Sequence, residues 1–269
     1  MFGTLDCIVF ALYLVATGLY FLFFFDFKRT EARLARLVLL LLLLLHLGVI
    51  VVRAMALDRP ILASRAEALS VTAWCLGVMY LAVELLSKRA EFGGFVLALA
   101  TLFQFLSLIH PVPRELPPIL KNPGFVMHAW MNIMAYSGFF LSFLFSVLLL
   151  VMRREIKTHH LGWLFRRLPS IQTLDVMSAH SATVGFVLLT AGLVAGSFWA
   201  KARWGSFFPA DPKLISSAVV WVVYAVYVFA RAAKVKSQQF FAALSIIGFC
   251  AIMFAFVFVH GIGSSIHGF

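Results

Sequence analysis

Charge is scarce in this sequence. Of its 269 residues only 12% are Asp, Glu, Lys or Arg, and only 11 are acidic. About a quarter of the residues of an ordinary soluble domain are charged. With 63% of the chain hydrophobic, a water-soluble fold cannot hide the apolar surface, and a polytopic membrane protein is the class that remains. Cysteine is also sparse. Cys7, Cys75 and Cys250 are isolated, and no C-x-x-C pair exists to serve a thioredoxin-like redox site or covalent attachment of a c-type haem. No P-loop, zinc signature or hydrolytic constellation occurs, so there is no independent catalytic site to assign. No hydrophilic stretch is long enough for a separate domain, and no repeat of fixed period is found. The first apolar run lacks a basic region before it, so it is expected to be a retained helix rather than a cleaved signal.

What is present is Leu, Val and Phe, the last numbering 29. A bilayer core about 30 Å thick needs about 20 helical residues. On that ruler the chain divides into eight spans, at 5–25, 34–52, 68–86, 93–109, 125–152, 176–198, 213–231 and 239–260. The expected fold is therefore an all-α bundle of about eight transmembrane helices. It forms one integral membrane domain, with an N-terminal four-helix half at 1–124 and a second half at 125–269.

The formal charge is +11. No basic-aromatic recognition motif accompanies it, which excludes nucleic acid as the partner; the excess belongs to loops that face anionic lipid. Of the 22 basic residues, 14 fall in one set of loops (Lys28, Arg29, Arg33, Arg36, Lys88, Arg89, Arg153, Arg154, Lys157, Arg166, Arg167, Arg231, Lys234 and Lys236). The positive-inside bias puts that set in the cytoplasm and both termini on the outer side. The stretch "RWGSFFPADPKLISS", Arg203 to Ser217, then lies on the outer face. "GWLFRRLPS", in the longest cytoplasmic loop, mixes aromatic and basic residues as a surface-lying helix does.

Eight histidines are present. His159 and His160 sit in a basic loop and read as solvated. His110, His128, His260 and His267 all fall at the outer face, and His46 and His180 lie within spans two and six. A neutral imidazole binds iron well, and haem needs one or two axial ligands together with flat apolar contacts. Trp204, Phe207 and Phe208 in the outer loop are of the type that supplies such contacts, and Lys201 or Arg203 can pair with propionates. Trp and Phe at a membrane interface also form the ordinary aromatic belt, so placement alone does not separate the two readings.

The segment "GFVLLTAGLVAGSFWAKARWGSFFPADPKLISSAVVWVVYAVYVFAR", residues 185–231, closely resembles the tryptophan-rich segment of haem-handling cytochrome c assembly proteins, the CcsA, CcmC and HemX-like group. Trp204, Gly205, Asp211, Pro212, Lys213, Trp221, Tyr224, Tyr227 and Arg231 stand where that pattern has them. "FVMHAWMNIMAY" is similar to the element that carries the family's first external His, and "GIGSSIHGF" to the tail that carries the second. The resemblance covers about residues 125–269.

The resemblance implies a haem b held at the outer face, with His128 and His267 as axial ligands. It places Trp204, Gly205, Phe207, Phe208, Asp211 and Trp221 in the haem platform, with Lys201 and Arg203 beside the propionates. Asp211, followed by Pro212, also suits an N-cap of span seven. In the synthases of this group the held haem is attacked by thiols of an apocytochrome CxxCH. The expected partners are lipid, haem and apocytochrome c, with a ResB-like membrane subunit or glutamyl-tRNA reductase further ones. The expected location is the bacterial cytoplasmic (inner) membrane.

The sequence also departs from the synthase pattern. Phe208 and Ala210 replace loop tryptophans, Leu214 replaces a Glu, and Phe229 replaces the His of an intramembrane haem site. His180, at a comparable depth, and His46 are then candidate secondary ligands, with helix-packing hydrogen bonds as their alternative role. Two other functions stand beside haem presentation. One is a HemX-like regulator or scaffold without bound haem; the other is a b-type electron-transfer subunit.

Overall fold

The computed structural model describes residues 2–26, 29–58, 60–110, 123–159, 162, 167–207 and 212–261. Every regular element among them is helical: α1 (Phe2–Asp26), α2 (Arg29–Ala56), α3 (Arg65–Ser87), α4 (Gly93–Ile109), α5 (Pro123–Thr158), α6 (Ile171–Trp204), α7 (Pro212–Ala232) and α8 (Gln238–Gly261). Seven of them are long and apolar enough to cross a membrane, and α4 is a shorter apolar helix. Leu37, Leu41, Leu44 and Val52 on α2, and Val187, Val194 and Phe198 on α6, point outward. A bundle that exposes apolar stripes of this length is solvated by lipid. The protein is a multi-pass membrane protein.

The helices overrun the apolar spans. The 36 residues of α5 make a rod about 54 Å long at 1.5 Å per residue, against a hydrocarbon core of about 30 Å. Its last turns, from Met152 to Thr158, carry Arg153, Arg154, Glu155 and Lys157, which are good helix formers in water. The 34-residue α6 begins before its apolar span, where the Ser170 hydroxyl caps it by accepting from Thr173 N–H at 3.2 Å.

The chain forms two compact units that divide within α5, residues 1–137 and 138–269. In the first, α1 packs on α2 and α4 while α3 packs on α2 and α4, so the four helices close on themselves. Close approach of α1 and α4 depends on Gly93. A Cβ there would stand 2.1 Å from the Tyr20 ring, so the small residue lets the helices meet. Polar side chains tie the helices crosswise. Thr17 on α1 meets Thr101 on α4 at 3.0 Å, and Glu84 on α3 accepts from Tyr20 of α1 at 2.5 Å and Arg36 of α2 at 2.7 Å.

The second unit is built from the rest of α5 with α6, α7 and α8. Its core holds a cluster of hydroxyls. Ser142 of α5 lies 2.9 Å from Ser178 of α6 and 2.8 Å from Ser245 of α8, and Ser146 lies 3.0 Å from Ser178. In an apolar medium each such hydroxyl needs a partner, and these satisfy one another. Phe139 of α5 stacks on Tyr224 of α7 with ring centres 3.6 Å apart. At the end of α7, Arg231 grips the Asp175 carboxylate of α6 with both guanidinium NH2 groups.

Candidate functional site

The aromatic loop after α6 begins at a helix terminus. α6 ends at Trp204, and Gly205 takes the left-handed conformation, φ 75°, while its N–H donates to the Lys201 carbonyl at 2.9 Å. A glycine adopts that geometry without Cβ strain, which is why Trp-Gly marks the end of this helix. The turn brings Phe207 back along the helix. The Lys201 ammonium lies 4.3 Å from the centre of the Phe207 ring, and Phe198 meets the same ring edge-on at 5.8 Å. Lys201, Gly205 and Phe207 are thus gathered at one place, and Arg203 and Trp204 occupy the last turn of α6 that leads into it. The next helix opens on Pro212, whose fixed φ suits the first helical position. Phe208, Asp211 and His267 lie outside the described residues.

Trp221 belongs to a different level. It is half-buried on α7 and its indole N–H donates to Thr190 Oγ1 of α6 at 2.9 Å. Phe186 packs beside it at 5.5 Å. Thr190 is about 21 Å along α6 from Trp204 at 1.5 Å per residue, so this contact pairs the two helices well below the loop.

His128 lies near the start of α5, half-buried. Val126, Ala129, Trp130, Ile133 and Met134 of the same helix pack against Ile50, Leu62, Val71 and Cys75 of the first unit. At 100° per residue, His128 and Asn132 project from the opposite face. Asn132 Nδ2 reaches the imidazole from one turn away, 3.0 Å from Nε2 and 3.4 Å from Nδ1. Its Oδ1 is buried with no hydrogen-bond partner. His110 ends α4, with Nδ1 donating to the Leu106 carbonyl at 2.8 Å.

The two intramembrane histidines differ sharply. His46 is buried in the first unit. Ser70 donates its hydroxyl hydrogen to Gln104 Oε1 at 3.0 Å, so the Ser70 oxygen accepts from His46 Nε2–H at 2.8 Å. Nδ1 then accepts from the Tyr13 hydroxyl at 3.1 Å. Tyr13, His46, Ser70 and Gln104 come from α1, α2, α3 and α4, and both ring nitrogens are engaged within this link. His180 is exposed on α6 in the second unit.

Among the described residues no three His, Cys, Asp or Glu side chains gather. A haem iron needs no such cluster, since it takes one or two axial side chains. His128 is half-buried, and the Asn132 amide, one helical turn on, lies against its ring. Sequence reasoning missed Asn132, although its spacing of four residues from His128 places both on one helix face.

The chain matches the family described as cytochrome C assembly protein over residues 7–267. It is 26% identical over 236 residues to the cytochrome c biogenesis protein CcsA of Mesostigma viride, covering 77% of this chain and 76% of the relative. It is 27% identical over 272 residues to CcsA of Synechococcus sp. (strain CC9605), covering 90% and 88%. Of solved structures, the cytochrome c heme lyase CcmF shares the fold with a TM-score of 0.67 at 16% identity. That likeness takes in 94% of this chain and 46% of the lyase, so the chain spans about half of the longer protein. The chain belongs to the cytochrome c assembly protein family.

Proposed function

We propose that this protein holds haem b at the outer membrane face for cytochrome c biogenesis. The observation that carries the reading is the family match over residues 7–267, a range that includes His128, the aromatic loop and the His267 tail. In this reading His128 and His267 are the axial ligands. Trp204, Gly205, Phe207, Phe208 and Asp211 shape an edge-on platform, and Lys201 and Arg203 face the propionates. Trp221 supports that platform from below by keeping α6 and α7 paired. When bound, haem supplies the porphyrin that thiols of an apocytochrome CxxCH attack. The chain's own residues orient that face, keep water from it and hold the iron; none is assigned an acid–base step.

His180 supports a membrane partner in the same reading. A polar side chain exposed on a lipid-facing helix is costly unless it is paired or liganded. Packing of α6 against a ResB-like subunit of the cytoplasmic membrane would satisfy it, either as a secondary haem ligand or by hydrogen bonding. A b-type electron-transfer arrangement, which needs facing His pairs, draws less support, since both nitrogens of His46 are already engaged.

The test is the absorption spectrum of the full-length protein in detergent, with and without reductant. A Soret band that disappears in the His128→Ala, His267→Ala double variant is expected. A folded protein that never takes up haem, even with haem supplied during expression, overturns the reading in favour of a HemX-like scaffold.

A further inference from the structure

We propose that His110 is a third imidazole ligand for haem iron, able to take the place of His267 as the partner of His128. This role rests on the reading that His128 holds haem iron. It starts from the state of the His110 ring. His110 directly follows α4 and is half-buried. Its Nδ1 lies 2.8 Å from the Leu106 carbonyl oxygen. A carbonyl can only accept, so the one proton of the neutral ring sits on Nδ1 and the in-plane lone pair is left on Nε2. Among the described residues no hydrogen-bond partner takes Nε2. An imidazole that binds a metal almost always donates its other N–H to a carbonyl, a carboxylate or water, which fixes the tautomer and the ring orientation. His110 has that arrangement built in. His46, by contrast, has both nitrogens engaged.

Leu106 carries one of the last four carbonyls of α4, which have no donor within the helix. Capping that carbonyl uses only Nδ1 and leaves the opposite edge of the ring for another task. Two contacts place His110 and His128 at the same end of the first unit. Ser107, on the last turn of α4, donates to the Ala66 carbonyl in the first turn of α3 at 2.7 Å. Val126 and Ala129, on either side of His128, pack on the cluster that holds Leu62 and Val71, which flank that same turn of α3. When His110 takes the iron, one Fe–N bond forms as the bond to His267 breaks. Nδ1 keeps its proton on the Leu106 carbonyl, so the exchange moves no proton and no electron. It lets the iron change an axial ligand without losing one, which suits a haem that is to be handed on.

The test uses full-length protein in detergent loaded with ferric haem b. Spin state is read from the Soret and visible bands and by electron paramagnetic resonance, and folding by circular dichroism. His267→Ala is expected to keep low-spin iron with two imidazole ligands. Adding His110→Gln is expected to turn the iron high-spin, and free imidazole to restore the low-spin form. Glutamine can still donate an amide N–H to the Leu106 carbonyl but is no strong iron ligand, so the variant keeps the helix cap and removes the lone pair. His110→Ala replaces it if the glutamine variant does not fold.

Haem lost from His267→Ala, or high-spin iron there with His110 in place, overturns the proposal. Low-spin iron that survives His110→Gln in the His267→Ala protein overturns it equally, since another side chain then holds the position. His128→Ala separates the levels. A haem spectrum unchanged in His128→Ala removes the ligand reading of His128 and the proposed pair with it. Haem lost in His128→Ala, together with high-spin iron in His267→Ala, removes the role of His110 alone.

Discussion

His46 donates Nε2–H to the Ser70 hydroxyl at 2.8 Å, and with Tyr13 and Gln104 at its two ends this bond joins one residue from each helix of α1–α4. The histidine is a cross-tie of the first unit. Its replacement by Ala orphans the Tyr13 hydroxyl and the Ser70 oxygen in a lipid-surrounded core, where water does not replace the lost partner. Each such group costs about 1–3 kcal/mol. His46→Ala is therefore expected to lower the thermal midpoint in detergent while leaving the haem spectrum unchanged. A Soret band lost from a protein that remains folded would instead assign His46 to iron.

The cross-tie also marks how far the sequence could be read. Eight helices and their order were legible, because about 20 apolar residues in a row have few other uses. Helix ends were less so. Hydropathy reports where lipid ends, whereas α5 continues through Arg153–Lys157 because those residues propagate a helix in water. Ser64 and Glu67 form a capping-box pair at the start of α3 that the sequence does display. The link from Tyr13 to Gln104 was not legible, since it depends on which helices adjoin. The serine cluster of the second unit was not read from the sequence either, since spacing within α5 cannot tell that Ser178 and Ser245 face Ser142. The Asn132 contact needs only one helix and was readable in principle.

Arg231 and Asp175 offer a test of the second unit. The guanidinium clamps the carboxylate with two hydrogen bonds, and it also lies 3.9 Å from the centre of the Phe241 ring. Arg231→Ala leaves a partly buried carboxylate unpaired, at a cost of about 1–3 kcal/mol. Removing both partners avoids that penalty. The double variant Asp175→Ala, Arg231→Ala is expected to unfold at a higher temperature than Arg231→Ala alone. Arg231→Lys is expected to restore little, because an ammonium cannot reproduce the two-pronged geometry.

Gly93 and Gly205 should respond to the same substitution in different ways. A Cβ at Gly93 would stand 2.1 Å from Tyr20, so Gly93→Ala must push α1 from α4, with an overpacking cost of about 1–3 kcal/mol. Nothing crowds Gly205, but its φ of 75° costs an L-residue about 1–2 kcal/mol. Gly205→Ala is expected to relax by redirecting the loop. Haem retention should fall in Gly205→Ala while the thermal midpoint moves little, whereas Gly93→Ala should lower the midpoint first. Equal loss of both properties in both variants would remove the special link between Gly205 and the loop.

The Lys201 contact with Phe207 predicts a dependence on salt. An exposed ammonium over a phenyl ring is held by only about 0.5–1 kcal/mol, so at 4.3 Å from the ring centre Lys201 is stored beside the loop rather than fixed to it. A propionate makes a stronger, charge-assisted bond to the same ammonium, and exposed pairs of that kind weaken as salt screens them. Haem retention is expected to fall as ionic strength rises, and the slope should be shallower in Lys201→Gln. Phe207→Leu removes the flat face but not the charge, so it should weaken retention without changing that slope. A Lys201→Gln protein with the salt dependence of the unchanged one would show that the propionates are met elsewhere, which leaves Arg203 as the first residue to substitute.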